Sequence, residues 1–145
     1  MSGLLDTNLL IYAVNQDSAQ HRRARSFLEN RLSASDPLYL SWSNLYEFLR
    51  VTTHPKVFAR PLSWNQAFQM LEVFLDSPQV EILREGEEHG RILQEILKGL
   101  RNPRGNFMHD CHLAALMREH GVKTVYTHDM DFRLFGFLEV VDPLA

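Results

Sequence analysis

Gly3-Leu4-Leu5-Asp6-Thr7-Asn8 is an apolar run that stops on a carboxylate. A hydroxyl and an amide follow at once, and Leu9 to Tyr12 is apolar again. The pattern predicts a short buried strand, a polar turn and the opening of a helix. Such a strand delivers Asp6 to the carboxyl edge of a sheet, where open α/β sheets hold their ligands. The question for the remaining residues is which other acids reach that edge.

Downstream, helical and strand patterns alternate. Asp17 or Ser18 can cap a helix over 19–32, with Ala24, Phe27, Leu28 and Leu32 on one stripe. Arg22, Arg23, Arg25 and Arg31 are placed on or beside its solvated face. Leu38-Tyr39-Leu40-Ser41-Trp42 reads as a second strand. Ser41 or Ser43 then caps a helix carrying Leu45, Phe48, Leu49 and Thr52, with Glu47 near its start. His54-Pro55 ends that helix, because a residue before proline is pushed out of the helical region. Ser63 caps the next, in which Trp64, Ala67, Phe68, Leu71, Phe74 and Leu75 form an amphipathic stripe. Its aromatics are expected in the core or in a dimer interface. Val80-Glu81-Ile82-Leu83 predicts a third strand, and residues 87–99 a helix with Ile92, Leu93, Ile96, Leu97 and Leu100 inward. Asn106 caps a helix over 107–120, closed by Gly121. Asp110 lies in its first turn, where the helix dipole favours negative charge. Thr124-Val125-Tyr126-Thr127-His128-Asp129 is a fourth strand and Leu138-Glu139-Val140-Val141 a fifth. Strand–helix alternation predicts an α/β fold, with helices on both faces of a mostly parallel, roughly five-stranded sheet.

The 145 residues are expected to form a single domain, 1–145. A chain of this length buries about 68–70% of its unfolded surface and needs no disulfide or metal staple. Cys111 is the only cysteine, which excludes an intrachain disulfide and fits a reducing compartment. Apolar runs break well before the roughly 18 residues of a membrane span. The N-terminus lacks a signal-peptide pattern. The expected location is cytoplasmic, with no membrane partner. The net charge of −3 speaks against a nucleic-acid partner only at first sight. Setting aside four clustered acids turns −3 into +1 for the remainder.

Asp6, Glu47 and Asp129 fall at or just beyond strand ends, and Asp110 opens the helix that leads into the fourth strand. Right-handed crossovers bring parallel strand ends to one edge. Four carboxylates, five with Asp131, therefore converge. Unpaired carboxylates at close range repel, and at least one stays protonated near neutral pH. A divalent cation relieves that repulsion. With no His or Cys in the set, hard ions are favoured, Mg²⁺ or Mn²⁺. A water with its pKa lowered by such an ion is the nucleophile of phosphodiester hydrolysis. Neither a G-x-x-x-x-G-K nor a G-x-G-x-x-G phosphate loop is present.

Leu5-Asp6-Thr7-Asn8-Leu9-Leu10-Ile11-Tyr12 resembles the opening of a PIN domain. Thr127-His128-Asp129-Met130-Asp131-Phe132 resembles its closing T-x-D-x-D-F signature. Ser43-Asn44-Leu45-Tyr46-Glu47-Phe48 and Asp110-Cys111-His112-Leu113-Ala114-Ala115 resemble the acidic segments between them. The likeness covers residues 3–143 and is greatest to VapC-type toxins of bacterial toxin–antitoxin pairs. It implies a PIN-like three-layer α/β/α fold and a Mg²⁺-dependent endoribonuclease, with Mn²⁺ as a substitute ion. Asp6, Glu47, Asp110 and Asp129 would form the catalytic quartet, and Asp6, Asp110 and Asp129 would hold the metal. Thr127 would orient Asp129, Thr7 or Asn8 would do similar supporting work, and Asp131 is a less constant position. RNA would be the substrate, a cognate antitoxin would inhibit the enzyme, and the protein would form a homodimer. His109 departs from the small polar residue expected before Asp110. The competing reading is a non-catalytic RNA-binding or regulatory domain of the same fold. A phosphomonoesterase that forms an aspartyl-phosphate would need an Asp at position 8 and a strand-end lysine, and neither occurs.

Overall fold

The computed structural model describes residues 1–145. Its centre is β1 (Gly3–Leu5), flanked by β2 (Leu38–Leu40) and β4 (Thr124–Tyr126). β3 (Val80–Ile82) pairs outside β2, and β5 (Glu139–Val141) outside β4. The sheet has five strands in the order β3-β2-β1-β4-β5, all parallel. From β1 the chain builds one side through β2 and β3, then crosses back to lay down β4 and β5. The strand order therefore reverses between β1 and β4, and the crevice of such a sheet lies beyond that point.

The helices are α1 (Thr7–Val14), α2 (His21–Ser33), α3 (Trp42–Thr52), α4 (Trp64–Leu75), α5 (His89–Lys98) and α6 (Phe107–His120). A 3₁₀ helix spans Met130–Leu134. Successive strand residues face opposite ways, and β1 divides the interior accordingly. Leu4 joins Val125 and the α5–α6 layer, through Ile92, Ile96, Leu113, Met117, Phe132 and Phe135. Leu5 joins Leu38, Leu40 and Tyr126 against the α1–α4 layer, through Leu9, Leu28, Phe48 and Leu71. The result is the α/β/α sandwich. No helix is long and apolar enough to cross a membrane.

Gly3 is required by this packing. A Cβ there would stand 2.8 Å from Tyr126 Cε2 and 2.9 Å from the Thr124 carbonyl oxygen. The second neighbour is backbone of the paired strand and cannot yield without opening the ladder. Gly3→Ala is expected to lower stability by about 1–3 kcal/mol, the cost of overpacking. Urea unfolding checks this, and an unchanged midpoint would refute it.

Several elements differ from their sequence-predicted extents, each for a capping reason. The second strand stops at Leu40, because Ser41 turns to cap α3 by accepting from the Asn44 N–H at 3.2 Å. The fourth stops at Tyr126, because Asp129 caps the 3₁₀ turn through the Asp131 N–H at 2.9 Å. α2 begins at His21, with neither Asp17 nor Ser18 capping it. Asp17 instead pairs with Arg60 at 2.8 Å. Asn106 precedes α6, but its side chain accepts no capping hydrogen bond. The Ser63 cap is found as a full capping box with Gln66. Arg31, placed by periodicity on a solvated face, is buried against Asp36 at 3.1 Å and the Tyr126 ring at 5.6 Å. On α4, Ala67 and Leu71 are buried, whereas Trp64 is 74% exposed and Phe68 36%. Those two aromatics are not core.

Candidate active site

The β1–β4 junction supplies the floor. Asp6 follows the last residue of β1, and its N–H donates to the Tyr126 carbonyl at 3.0 Å. Its side chain is nearly buried, at 7% exposure. Oδ1 accepts the Thr7 N–H at 2.8 Å and so caps α1. Oδ2 accepts the Thr127 hydroxyl at 2.7 Å. Thr127 is fully buried, and its oxygen accepts the Asp129 N–H at 2.9 Å. Asn8 Nδ2 reaches the same oxygen at 3.4 Å. Thr127 thus holds the Asp129 backbone, while its own proton goes to Asp6.

Sequence reasoning missed a second buried link. Asn44 is fully buried, and its Nδ2 donates to Thr7 Oγ1 at 2.7 Å. Ser41 Oγ donates to Asn44 Oδ1 at 2.5 Å. The starts of α1 and α3 are thereby tied together beneath the acids. Thr7 serves this tie, and its side chain also bonds to the Glu47 carboxyl and helps to lower it. The one signal for it was Ser41-x-x-Asn44 at a strand–helix junction, and its partner lies 37 residues away.

Above this floor, Asp110 projects from the first turn of α6. Asp110, Asp129 and Asp131 each offer a carboxylate oxygen, and the three lie within 4.8 Å of one another. Asp131 belongs to this closest trio, and Asp6 does not. Glu47 arrives from the second turn of α3 rather than from the strand end. An open cleft of about 820 Å³ is lined by Glu47, Asp110, Asp129 and Asp131, with Tyr46, Arg50 and His109 in its walls.

The acids divide by charge state. Burial pushes Asp6 up to about 6 against the hydrogen bonds from Thr127 and the Thr7 N–H, and Glu47 and Asp129 add to the rise. Burial also pushes Asp110 up to about 7, helped by Asp6 and Asp129 and opposed by His109. Glu47 moves the other way. His109 Nε2 lies 3.1 Å from its Oε2 and holds the carboxyl below its ordinary range. The same contact raises His109. The His109 nitrogen is buried without an aligned hydrogen-bond acceptor, so this is an ion-pair contact rather than a directed bond. His109 thus sets beside Glu47 an imidazole that this contact makes easier to protonate, a role that sequence reasoning had left unassigned. Two acids held part-protonated and an all-oxygen donor set are what a hard divalent cation would neutralise.

Other titratable groups near these motifs face elsewhere. His128 pairs with Asp142 at 2.9 Å, and His112 with Glu85 at 2.7 Å. Cys111 is buried, and burial followed by the Asp110 charge pushes its thiol up. A reactive thiolate there is disfavoured.

A parallel sheet with carboxylates massed at its switch point is the layout expected of a PIN domain. The PIN-domain family model matches residues 3–138, and the chain belongs to that family. Within it, the chain is similar to Ribonuclease VapC48 of Mycobacterium tuberculosis. The two are 34% identical over 145 residues, covering 100% of this chain and 99% of the relative. It is also 34% identical over 140 residues to Ribonuclease VapC43 of the same species, covering 97% of this chain and 94% of that one. Among solved structures it resembles Mycobacterium tuberculosis VapC20, described as a sarcin-ricin loop cleaving toxin. The TM-score is 0.69 at 21% identity, with 97% of this chain and 98% of that one covered. VapBC-1 from nontypeable Haemophilus influenzae gives a TM-score of 0.69 at 18% identity and full coverage of both chains. These structural likenesses establish the shared fold.

Proposed function

We propose that this protein is a Mg²⁺-dependent endoribonuclease, the toxin of a type II toxin–antitoxin pair. The observation that carries the reading is the Asp110–Asp129–Asp131 trio, closed to within 4.8 Å in an open cleft. The relatives named ribonucleases support it. Asp110, Asp129 and Asp131 would hold the ion, with Asp6 beside them and Mn²⁺ as a substitute. When bound, the cation supplies Lewis-acid charge to a phosphodiester that the bare acids would repel. Glu47, kept ionised by His109, accepts a proton from the attacking water through a free carboxylate oxygen. Thr127 and Asn8 fix the floor that sets Asp6 and Asp129.

The solved neighbours that are toxin–antitoxin complexes support a cognate antitoxin as partner. Exposed Trp64 and Phe68 on α4 leave an apolar face that a second protein chain can cover, in keeping with a homodimer. The single buried cysteine fits a cytoplasmic setting.

Total cellular RNA incubated with the antitoxin-free protein tests the enzyme reading. Discrete fragments are expected with Mg²⁺ and none with EDTA. Asp6→Asn is expected to slow cleavage about 10³-fold, equivalent to several kcal/mol of lost transition-state stabilisation. Undiminished cutting in EDTA or by the variant would overturn the metal site. A folded protein that binds RNA and never cuts it would be a binding domain.

A further inference from the structure

α3 has one face in the core and another over the cleft. Leu45, Phe48 and Thr52 are buried. Trp42, Tyr46 and Arg50 recur every four residues along the exposed side, where such neighbours touch. Tyr46 is 69% exposed and Trp42 39%. Their ring centroids are 6.4 Å apart with the planes inclined at 54°, so the indole braces the phenol ring. Tyr46 and Arg50 line the same cleft as Asp110, Asp129 and Asp131. Only Tyr46 and Phe107 are apolar in that lining, and Phe107 is already stacked on Phe135 at 5.2 Å. The free ring is therefore Tyr46, next in sequence to Glu47.

We propose that Tyr46, braced by Trp42, is a stacking platform for an unpaired nucleobase adjacent to the scissile phosphate. The proposal rests on the ribonuclease reading above and names the form of RNA that the site accepts. Bases in a duplex have both faces covered by their neighbours, whereas splayed bases of loops and single strands stack on aromatic rings. Arg50, on the same wall, supplies the cation for a flanking phosphate. The acids then take the phosphodiester and the ring takes the base. A protein partner would also favour an exposed aromatic pair, but it would not need the ring inside the acidic cleft.

The test uses the full-length protein with Asp110→Asn as background, so that bound RNA is not cut. The probes are a fluorescein-labelled 12-nucleotide single-stranded RNA of randomised sequence and a 12-base-pair RNA duplex. Fluorescence anisotropy reads the Kd. The single strand is expected to bind tighter than the duplex. Adding Tyr46→Ala is expected to raise the single-strand Kd about 10-fold or more, the range found when a stacking aromatic is removed. Tyr46→Phe keeps the ring and should keep the affinity, and Trp42→Ala should give a smaller loss. Equal Kd values for Tyr46→Ala and its background overturn the platform and leave the nuclease reading intact. An unchanged Kd together with a shift from dimer to monomer in sedimentation overturns it in favour of a self-interface. If neither RNA binds the parent or the background, both readings fail together.

Discussion

Asp110→Asn is expected to remove ribonuclease activity and, in EDTA at pH 8, to make the protein more stable by about 1–3 kcal/mol. The stability half follows from the raised carboxyl. Asp110 is pushed up to about 7 in the fold by burial, Asp6 and Asp129, from an ordinary 3.8. A carboxyl raised in the folded state contributes stability that is intact below about pH 4, where both states are protonated. That contribution is lost as pH rises through the folded value near 7. The full shift would correspond to more than the stated figure, and solvent reaching a half-buried group reduces it. An asparagine mimics the neutral acid at every pH. The variant should therefore match the parent at pH 4, gain on it between pH 4 and 7, and hold its lead above. Urea unfolding in EDTA at pH 4, 5.5, 7 and 8 reads the curve. Adding Mg²⁺ or Mn²⁺ should reverse the order, because only the parent gains the full binding free energy of the ion. Cleavage should fall about 10³-fold, as for any lost contribution of several kcal/mol to the transition state. A variant less stable than the parent at pH 8 in EDTA would make Asp110 a structural residue and remove the motive for a metal.

What was legible in the sequence was what is local. The apolar run, acid and hydroxyl of Leu4 to Thr7 encode a strand, a cap and a helix start within four residues, and β1 and α1 follow them. The Ser63–Gln66 capping box is local too. Strand ends were overrun for a related reason. Ser41 and Asp129 are each compatible with an extended strand, but each side chain binds a backbone N–H two or three residues on and starts the next element. The relations that build the site are distant. Thr127 meets Asp6 across 121 residues, and Asn44 meets Thr7 across 37. Only the parallel order, with β1 between β2 and β4, brings them together. Arg31 misled periodicity because its partners lie outside the helix, in Asp36, the Pro37 carbonyl and the Tyr126 ring. Trp64 shows what periodicity leaves open, since an amphipathic stripe says which side is apolar and not whether this chain's own core or another surface covers it. Asp131 was the least certain acid by motif and is among the three closest by geometry, because the 3₁₀ turn that Asp129 caps carries it back to the cleft.

Thr127→Val should cost the site its floor while keeping its shape. Valine matches threonine in outline, so the fully buried position stays filled. What goes is one oxygen with three partners. The Asp129 N–H, held at 2.9 Å, loses its acceptor, and Asp6 loses the donor at 2.7 Å. A buried polar group left unpaired costs about 1–3 kcal/mol, and that is the expected fall in stability. The fall should depend on pH. Asp6 is raised to about 6, mainly by burial, and the Thr127 hydrogen bond is the largest influence opposing that rise. At pH 4 Asp6 is protonated and the lost bond is a neutral one. At pH 8 the lost bond served an ionised carboxylate, which hydrogen bonds hold more strongly. The penalty should therefore be larger at pH 8 than at pH 4, in metal-free buffer. Affinity for Mn²⁺, read by calorimetric titration, should weaken about 10–100-fold, as when an orienting partner of a ligand is removed. Thr127→Ser restores the hydroxyl and should recover both affinity and the pH profile. If serine fares as badly as valine, the methyl group and its packing are what matter at 127. If valine binds Mn²⁺ as the parent does, Asp6 and Asp129 do not depend on this residue, and the ion is held by the trio without its floor.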